Sequence, residues 1–92
     1  MIGTFKHKGL EAFYLRGETK GIQQAHAKRL RGILALLESS VVVSDMNLPG
    51  LRLHQLQPKQ DGYWSVTVNG NYRVTFRFEN GKAYDIDVVD YH

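Results

Sequence analysis

Ninety-two residues make one small domain, and a hydrophobic content of 42% is enough for a single compact core. The absence of cysteine excludes disulfides, thiolate zinc sites and a cysteine nucleophile, and fits a reducing compartment. The net charge of +3 suits a polyanion such as nucleic acid, or an acidic protein partner. No apolar run approaches the ~20 residues of a membrane span, and MIGTFKHKGL has no apolar signal-peptide segment. A cytoplasmic protein with no membrane partner is expected.

Residues 2–6, IGTFK, predict a short edge strand. Residues 8–16, KGLEAFYLR, carry Leu10, Phe13 and Tyr14 at helical spacing, and Gly17 is a plausible stop. The longest periodic segment predicts a helix over residues 22–38. There Ile22, His26, Leu30, Ile33, Leu34 and Leu37 form one stripe, while Gln24, Lys28, Arg31 and Glu38 point away. Gly32 within it lowers helix propensity and is expected to mark a close helix approach. Residues 40–50 lose the helical period and end in the turn signal Pro49-Gly50.

The remaining segments read as strands. LRLHQL, 51–56, sets Leu51 and Leu53 against Arg52 and His54. QPKQDG is a loop. YWSVTV, 63–68, places Trp64, Val66 and Val68 on one face. NYRVTFRF, 71–78, places Tyr72, Val74, Phe76 and Phe78 against Asn71, Arg73, Thr75 and Arg77. ENG turns the chain into KAYDIDVVDYH, which sets Tyr84, Ile86 and Val88 against Asp85, Asp87 and Val89. Asn69-Gly70 is a hairpin signal, but a two-residue loop would pair Val66 with Arg73 and mix apolar with polar on both faces. A three-residue loop with a bulge, residues 69–71, pairs Val68 with Tyr72, Val66 with Val74 and Trp64 with Phe76. Burial specifies register more strongly than turn preference, so the longer loop is expected.

The resulting order, β-α-α-β-β-β-β, is an α+β fold: two N-terminal helices pack on one face of an antiparallel sheet. The polar face carries Arg52, His54, Arg73 and Arg77. Histidine exchanges protons near neutrality at little cost, and an arginine can hold a phosphate. Two histidines with an arginine therefore make a kit for RNA cleavage. One group removes the 2′-hydroxyl proton, another protonates the leaving 5′-oxygen, and a cation stabilises the charge between them. His7, His26, His54 and His92 have no metal-ligand spacing, so no dedicated metal site is expected. There is no Gly-rich phosphate loop and no nucleophile elbow.

The stretches MIGTFKHKGL, LHQL at 53–56, GYWSVTVNGNYRVTFRF at 62–78 and the final DYH resemble the HigB-type toxins of bacterial toxin–antitoxin systems. These belong to the RelE/ParE superfamily and are also labelled plasmid-maintenance killer proteins. The resemblance covers essentially the whole chain. It implies a RelE-like fold and a ribosome-dependent endoribonuclease (mRNA interferase) with no cofactor. It also implies a HigA-type helix-turn-helix antitoxin, with promoter DNA bound only through that antitoxin. The family's strand histidine falls on His54, its arginine on Arg73, and its terminal acid, phenol and imidazole on Asp90, Tyr91 and His92. His54 and His92 are expected to transfer protons, Arg73 to hold phosphate, Asp90 to support or act as base, and Tyr91 to lie against a base. Relatives often carry Lys-Gly just after the strand motif. Here Gln57-Pro58 stand there, which points to Lys59 for that role. Lys8, Arg31, Lys59 and Asn71 are candidate contacts with RNA or the ribosome. The ParE branch of the superfamily implies an alternative, a non-enzymatic inhibitor of DNA gyrase.

Overall fold

The computed structural model describes residues 1–56 and 62–90. Helix α1 spans Lys8–Arg16 and helix α2 spans Ala27–Ser39. Four strands follow: β1 (His54–Gln55), β2 (Tyr63–Asn69), β3 (Tyr72–Glu79) and β4 (Lys82–Asp90). They form one antiparallel sheet in the order β1-β2-β3-β4.

Helix α1 has the expected bounds. Its first turn is capped by His7, whose Nδ1 accepts the Leu10 N–H at 2.9 Å. Gly17 closes it in the left-handed region at φ 71, donating its N–H to Phe13 O at 2.9 Å. Helix α2 starts later than periodicity predicts, because Gln24–His26 form a 3-10 turn ahead of it. The apolar stripe still points inward: His26, Leu30, Ile33, Leu34 and Leu37 are all buried.

The close approach expected at Gly32 occurs elsewhere. A Cβ on Gly32 would meet nothing within 4 Å, whereas a Cβ on Gly21 would lie 2.6 Å from Gly9 Cα. Glycine at positions 9 and 21 lets the start of α1 touch the turn before α2.

Residues 2–6 flank β4 without forming a continuous strand. Two isolated parallel bridges, Ile2↔Ala83 and Phe5↔Ile86, replace it. The gap has a cause in β4 itself. Thr75 pairs with Asp87 but Arg77 pairs with Tyr84, so Asp85 and Ile86 together oppose Phe76. Asp85 is the bulged residue, at φ 54, and its N–H is taken by Thr4 Oγ1 at 2.9 Å. The bulge shifts side-chain parity. Ala83 and Ile86 face the core at 0% exposure, and Tyr84, expected to share the face of Ile86, turns to the other side. There its ring lies 4.7 Å from the Arg77 guanidinium carbon.

The β2–β3 register along the strands is the one burial predicts, but Asn69 rather than Val68 pairs with Tyr72, so the loop is Gly70-Asn71 and not residues 69–71, and the bulge falls at Val68. Val66 pairs with Val74 and Trp64 with Phe76, with an irregularity between Thr67 and Asn69 and a turn through Gly70 at φ 57. The β3–β4 turn has positive φ at both Asn80 (51) and Gly81 (78), the geometry that suits a twisted two-residue hairpin. Leu10, Leu30, Leu34, Leu37, Met46, Val66, Val74, Phe76 and Ile86 are fully buried between helices and sheet. One face of the sheet is thus consumed by the core and the other is left open.

The N-terminal segment is tied to the end of α2. The Met1 amino group donates to the carbonyls of Leu37, Ser40 and Gly81, each at 3.0 Å. Glu38 accepts from the Ile2 N–H at 3.1 Å and from the Tyr14 hydroxyl at 3.2 Å. The Ile2 N–H, chiefly, holds the Glu38 carboxyl below its ordinary range. Asp45 is lowered likewise, because its carboxylate accepts the N–H groups of Val41 (2.8 Å) and Val42 (3.2 Å). A carboxyl lowered on folding stabilises above its unfolded pKa, and that stabilisation fades as pH falls through the lowered folded value. The Glu38→Gln, Asp45→Asn double variant is therefore expected to be less stable than wild type at neutral pH. Its stability falls less steeply in acid, below the usual carboxylate range. Urea denaturation across that pH range checks this, and parallel wild-type and variant curves would refute it.

Candidate active site on the open face of the sheet

The register of the strands places the site. His54 pairs with Ser65, Ser65 with Thr75, and Thr75 with Asp87, giving one row of side chains across the open face. The neighbouring row is Thr67, Arg73 and Val89. His54 and Arg73 come together in one cleft of about 560 Å³, lined also by Arg52, Leu53, Leu56, Ser65 and Thr67. His54 is exposed and Arg73 half-buried. Arg73 Nη1 donates to Thr67 Oγ1 at 2.6 Å, which orients the guanidinium. Among the described residues no carboxylate lines this cleft, and neither Arg52 nor Arg73 is in an ion pair.

Arg77 shares the open face but is already engaged. Its guanidinium lies 3.3 Å from Glu79 and 3.8 Å from Asp85. Asp85 also accepts the Tyr63 hydroxyl at 2.9 Å, and that bond, with burial second, raises the Tyr63 pKa. Tyr63 and Asp85 line an adjoining cleft with Lys6, Leu56, Thr75, Asp87 and Val89. The open face therefore divides into a cationic half around His54 and Arg73 and a half of mixed charge, where Arg77 is paired with Glu79 and Asp85.

The other predicted residues that the structure describes do not line this cleft. Asp90 ends β4 opposite Tyr72, so the register gives it the parity of Tyr72 and Val88 rather than that of Arg73. Tyr72 packs on the helix side, its ring 4.7 Å from the ring of His26 and its hydroxyl accepting from Gln23 Nε2 at 2.7 Å. Lys8 is exposed at the start of α1, and Arg31 on α2 lies 5.3 Å over the Phe13 ring. Asn71 is exposed in the β2–β3 turn. Lys59, Tyr91 and His92 lie outside the described residues.

Sequence reasoning passed over Thr67 as a site residue. The signal was present in the pairing register: once Val66 faces Val74, Thr67 must stand opposite Arg73. Among the described residues no three of His, Asp and Glu converge as metal ligands, and no helix is long and apolar enough to cross a membrane. An exposed imidazole beside an oriented guanidinium that no described carboxylate neutralises can bind an anion and move a proton at it.

Comparison with known proteins adds two findings. A family model described as the RelE-like toxin of the type II toxin–antitoxin system HigB matches residues 3–92. The chain is also similar to a Proteus vulgaris protein named Endoribonuclease HigB, with 38% identity over 92 residues that cover 100% of both chains.

Proposed function

Because the chain belongs to the family of RelE-like HigB toxins of type II toxin–antitoxin systems, we propose that it is an endoribonuclease that cuts messenger RNA on the translating ribosome. The observation that carries this reading is the meeting of His54 with Arg73 in a cationic cleft free of carboxylates among the described residues. The full-length likeness to an endoribonuclease supports it.

The proposed reaction is an internal displacement. A base removes the proton of a 2′-hydroxyl, and that oxygen attacks the adjacent phosphorus. The bond from phosphorus to the 5′-oxygen breaks, and an acid protonates the departing oxygen. A 2′,3′-cyclic phosphate and a 5′-hydroxyl result. No water is activated, so the chemistry asks for proton transfer and charge stabilisation and for no metal. His54 and His92 share the proton transfers, and Arg73 holds the non-bridging oxygens with Thr67 keeping its guanidinium in line. Asp90 closes the strand that leads to Tyr91 and His92, and Tyr91 stacks on a base. Lys8, Arg31, Lys59 and Asn71 are proposed outer contacts with ribosome or RNA.

An antitoxin partner follows from the family, and we propose a helix-turn-helix protein that carries promoter binding for both. The cytoplasm is the proposed compartment, because translated mRNA is the substrate. Ribosome dependence has a physical rationale. Orientation supplies much of a cleavage rate, and an open sheet face with an exposed histidine holds a flexible RNA poorly by itself.

The test is an in-vitro translation reaction with wild-type protein or His92→Gln, read by mapping mRNA 5′ ends. Cuts made by wild type, lost in the variant and absent without ribosomes, are the expected result. Intact mRNA with the wild type would overturn the nuclease reading.

A further inference from the structure

We propose that Arg52 is a second phosphate-binding residue of the same cleft, so that the site grips two successive phosphodiesters of single-stranded RNA. This rests on the nuclease reading above and adds a substrate contact to it.

Arg52 has φ 53, in the left-handed region. Among the described residues Asn80 and Asp85 are the other non-glycine residues with positive φ. Asn and Asp tolerate that region through short polar side chains, and Asn80 sits in a hairpin turn that demands it. Arginine has no such compensation, so its presence at position 52 works against the local backbone.

The surroundings hold it there. Gly50 is also left-handed, at φ 88, and Leu51 between the two is buried at 7% exposure. Thr67 N donates to Leu51 O at 2.7 Å. Arg29 of α2 reaches across to donate to Gly50 O at 2.7 Å and Thr67 O at 3.0 Å. The turn that carries Arg52 is thereby fastened to the strand whose Thr67 hydroxyl orients Arg73. The outcome is two guanidinium groups lining one cleft beside His54, with no carboxylate among the described residues there to neutralise them. Strained backbone held by packing and spent on exposing a cation is the pattern of a binding residue. The complementary ligand is a polyanion with closely spaced charges, which the RNA backbone supplies.

Glycine relieves the strain at position 52, so a role in folding and a role in binding predict opposite results. The probe is a fluorescent 2′-O-methyl oligoribonucleotide, which presents phosphates but lacks the attacking hydroxyl. Its affinity is measured by anisotropy over a range of salt for wild type, Arg52→Gly and Arg52→Lys, beside their melting temperatures. Arg52→Gly is expected to melt at or above the wild-type temperature and to bind roughly tenfold more weakly. Its plot of log affinity against log salt should be shallower by about 0.7, the loss of one phosphate contact on a single strand. Arg52→Lys should keep the slope. Equal affinity and slope in Arg52→Gly overturn the inference, as does a lowered melting temperature with an unchanged slope. Wild type without saturable, salt-dependent binding overturns it too. If wild type cuts mRNA during translation and Arg52→Gly cuts equally well, the inference fails and the nuclease reading stands. If wild type cuts nothing yet the slope flattens in Arg52→Gly, the nuclease reading fails and the anion site stands.

Discussion

Replacing His54 by Gln is expected to lower RNA cleavage roughly 10²–10⁴-fold, the usual worth of one positioned acid or base. The fold should survive the change. His54 is exposed, and β1 holds it through backbone pairing with Ser65, which Gln preserves. Substitutions at such positions usually move stability by less than about 0.5 kcal/mol. Glutamine keeps polarity and approximate size but cannot exchange a proton near neutrality, so what it removes is acid–base chemistry. The measurement is the rate of mRNA cleavage in a translation reaction, with circular dichroism melting as the control. A rate within a few-fold of wild type, on an unchanged melting curve, would remove His54 from the reaction. The same pair of measurements on Arg73→Gln would separate loss of charge stabilisation from loss of proton transfer.

Phe76→Ala is expected to cost about 3–5 kcal/mol of folding stability. Phe76 is 0% exposed, and its ring lies edge-on to Phe78 at 6.4 Å between centroids. Trp64 stands opposite it on β2, and the Asp85–Ile86 bulge stands opposite it on β4. Alanine would leave a hole where both neighbouring strands converge, and closing it would require the bulge to move. Domains of this size often have only about 5–15 kcal/mol in total. One kcal/mol shifts the melting temperature by roughly 4–8 °C at this length, so a drop well beyond about 10 °C should follow. Urea titration gives the free energy directly. A loss under about 1 kcal/mol would mean that Phe76 does not anchor the core.

Much of this architecture was legible from residue order. Gly17 announced the end of α1, and the buried face of α2 followed its apolar stripe although its first turn did not. The β2–β3 register followed from requiring Val66, Val74, Trp64 and Phe76 to share a face, against the simplest reading of Asn69-Gly70. That same requirement put Arg73 on the open face, alternation with Leu51 and Leu53 put His54 there, and the two line one cleft. Asp90 was expected beside them, yet the register aligns it with Tyr72. Simple alternation with Ile86 and Val88 already gives Asp90 that parity; the bulge at Asp85, an extra residue in the strand, displaces only Tyr84.

The sequence by itself determined the class of fold, the core stripe and the facing of Val66 and Trp64 with Val74 and Phe76. Each follows from hydrophobic periodicity, which is a property of near neighbours along the chain. Tertiary structure alone decided the bulge at Asp85, the left-handed Arg52 and the Gly9–Gly21 contact. Asp85 is bulged where Thr4, eighty-one positions away, takes its N–H. Arg52 is fixed by a helix arginine bonded to Gly50 and Thr67, and Gly21 meets a glycine on another element. Such features arise when two distant segments each satisfy the other's polar groups or occupy the other's free volume. Alternation within one segment carries no record of which distant group will arrive.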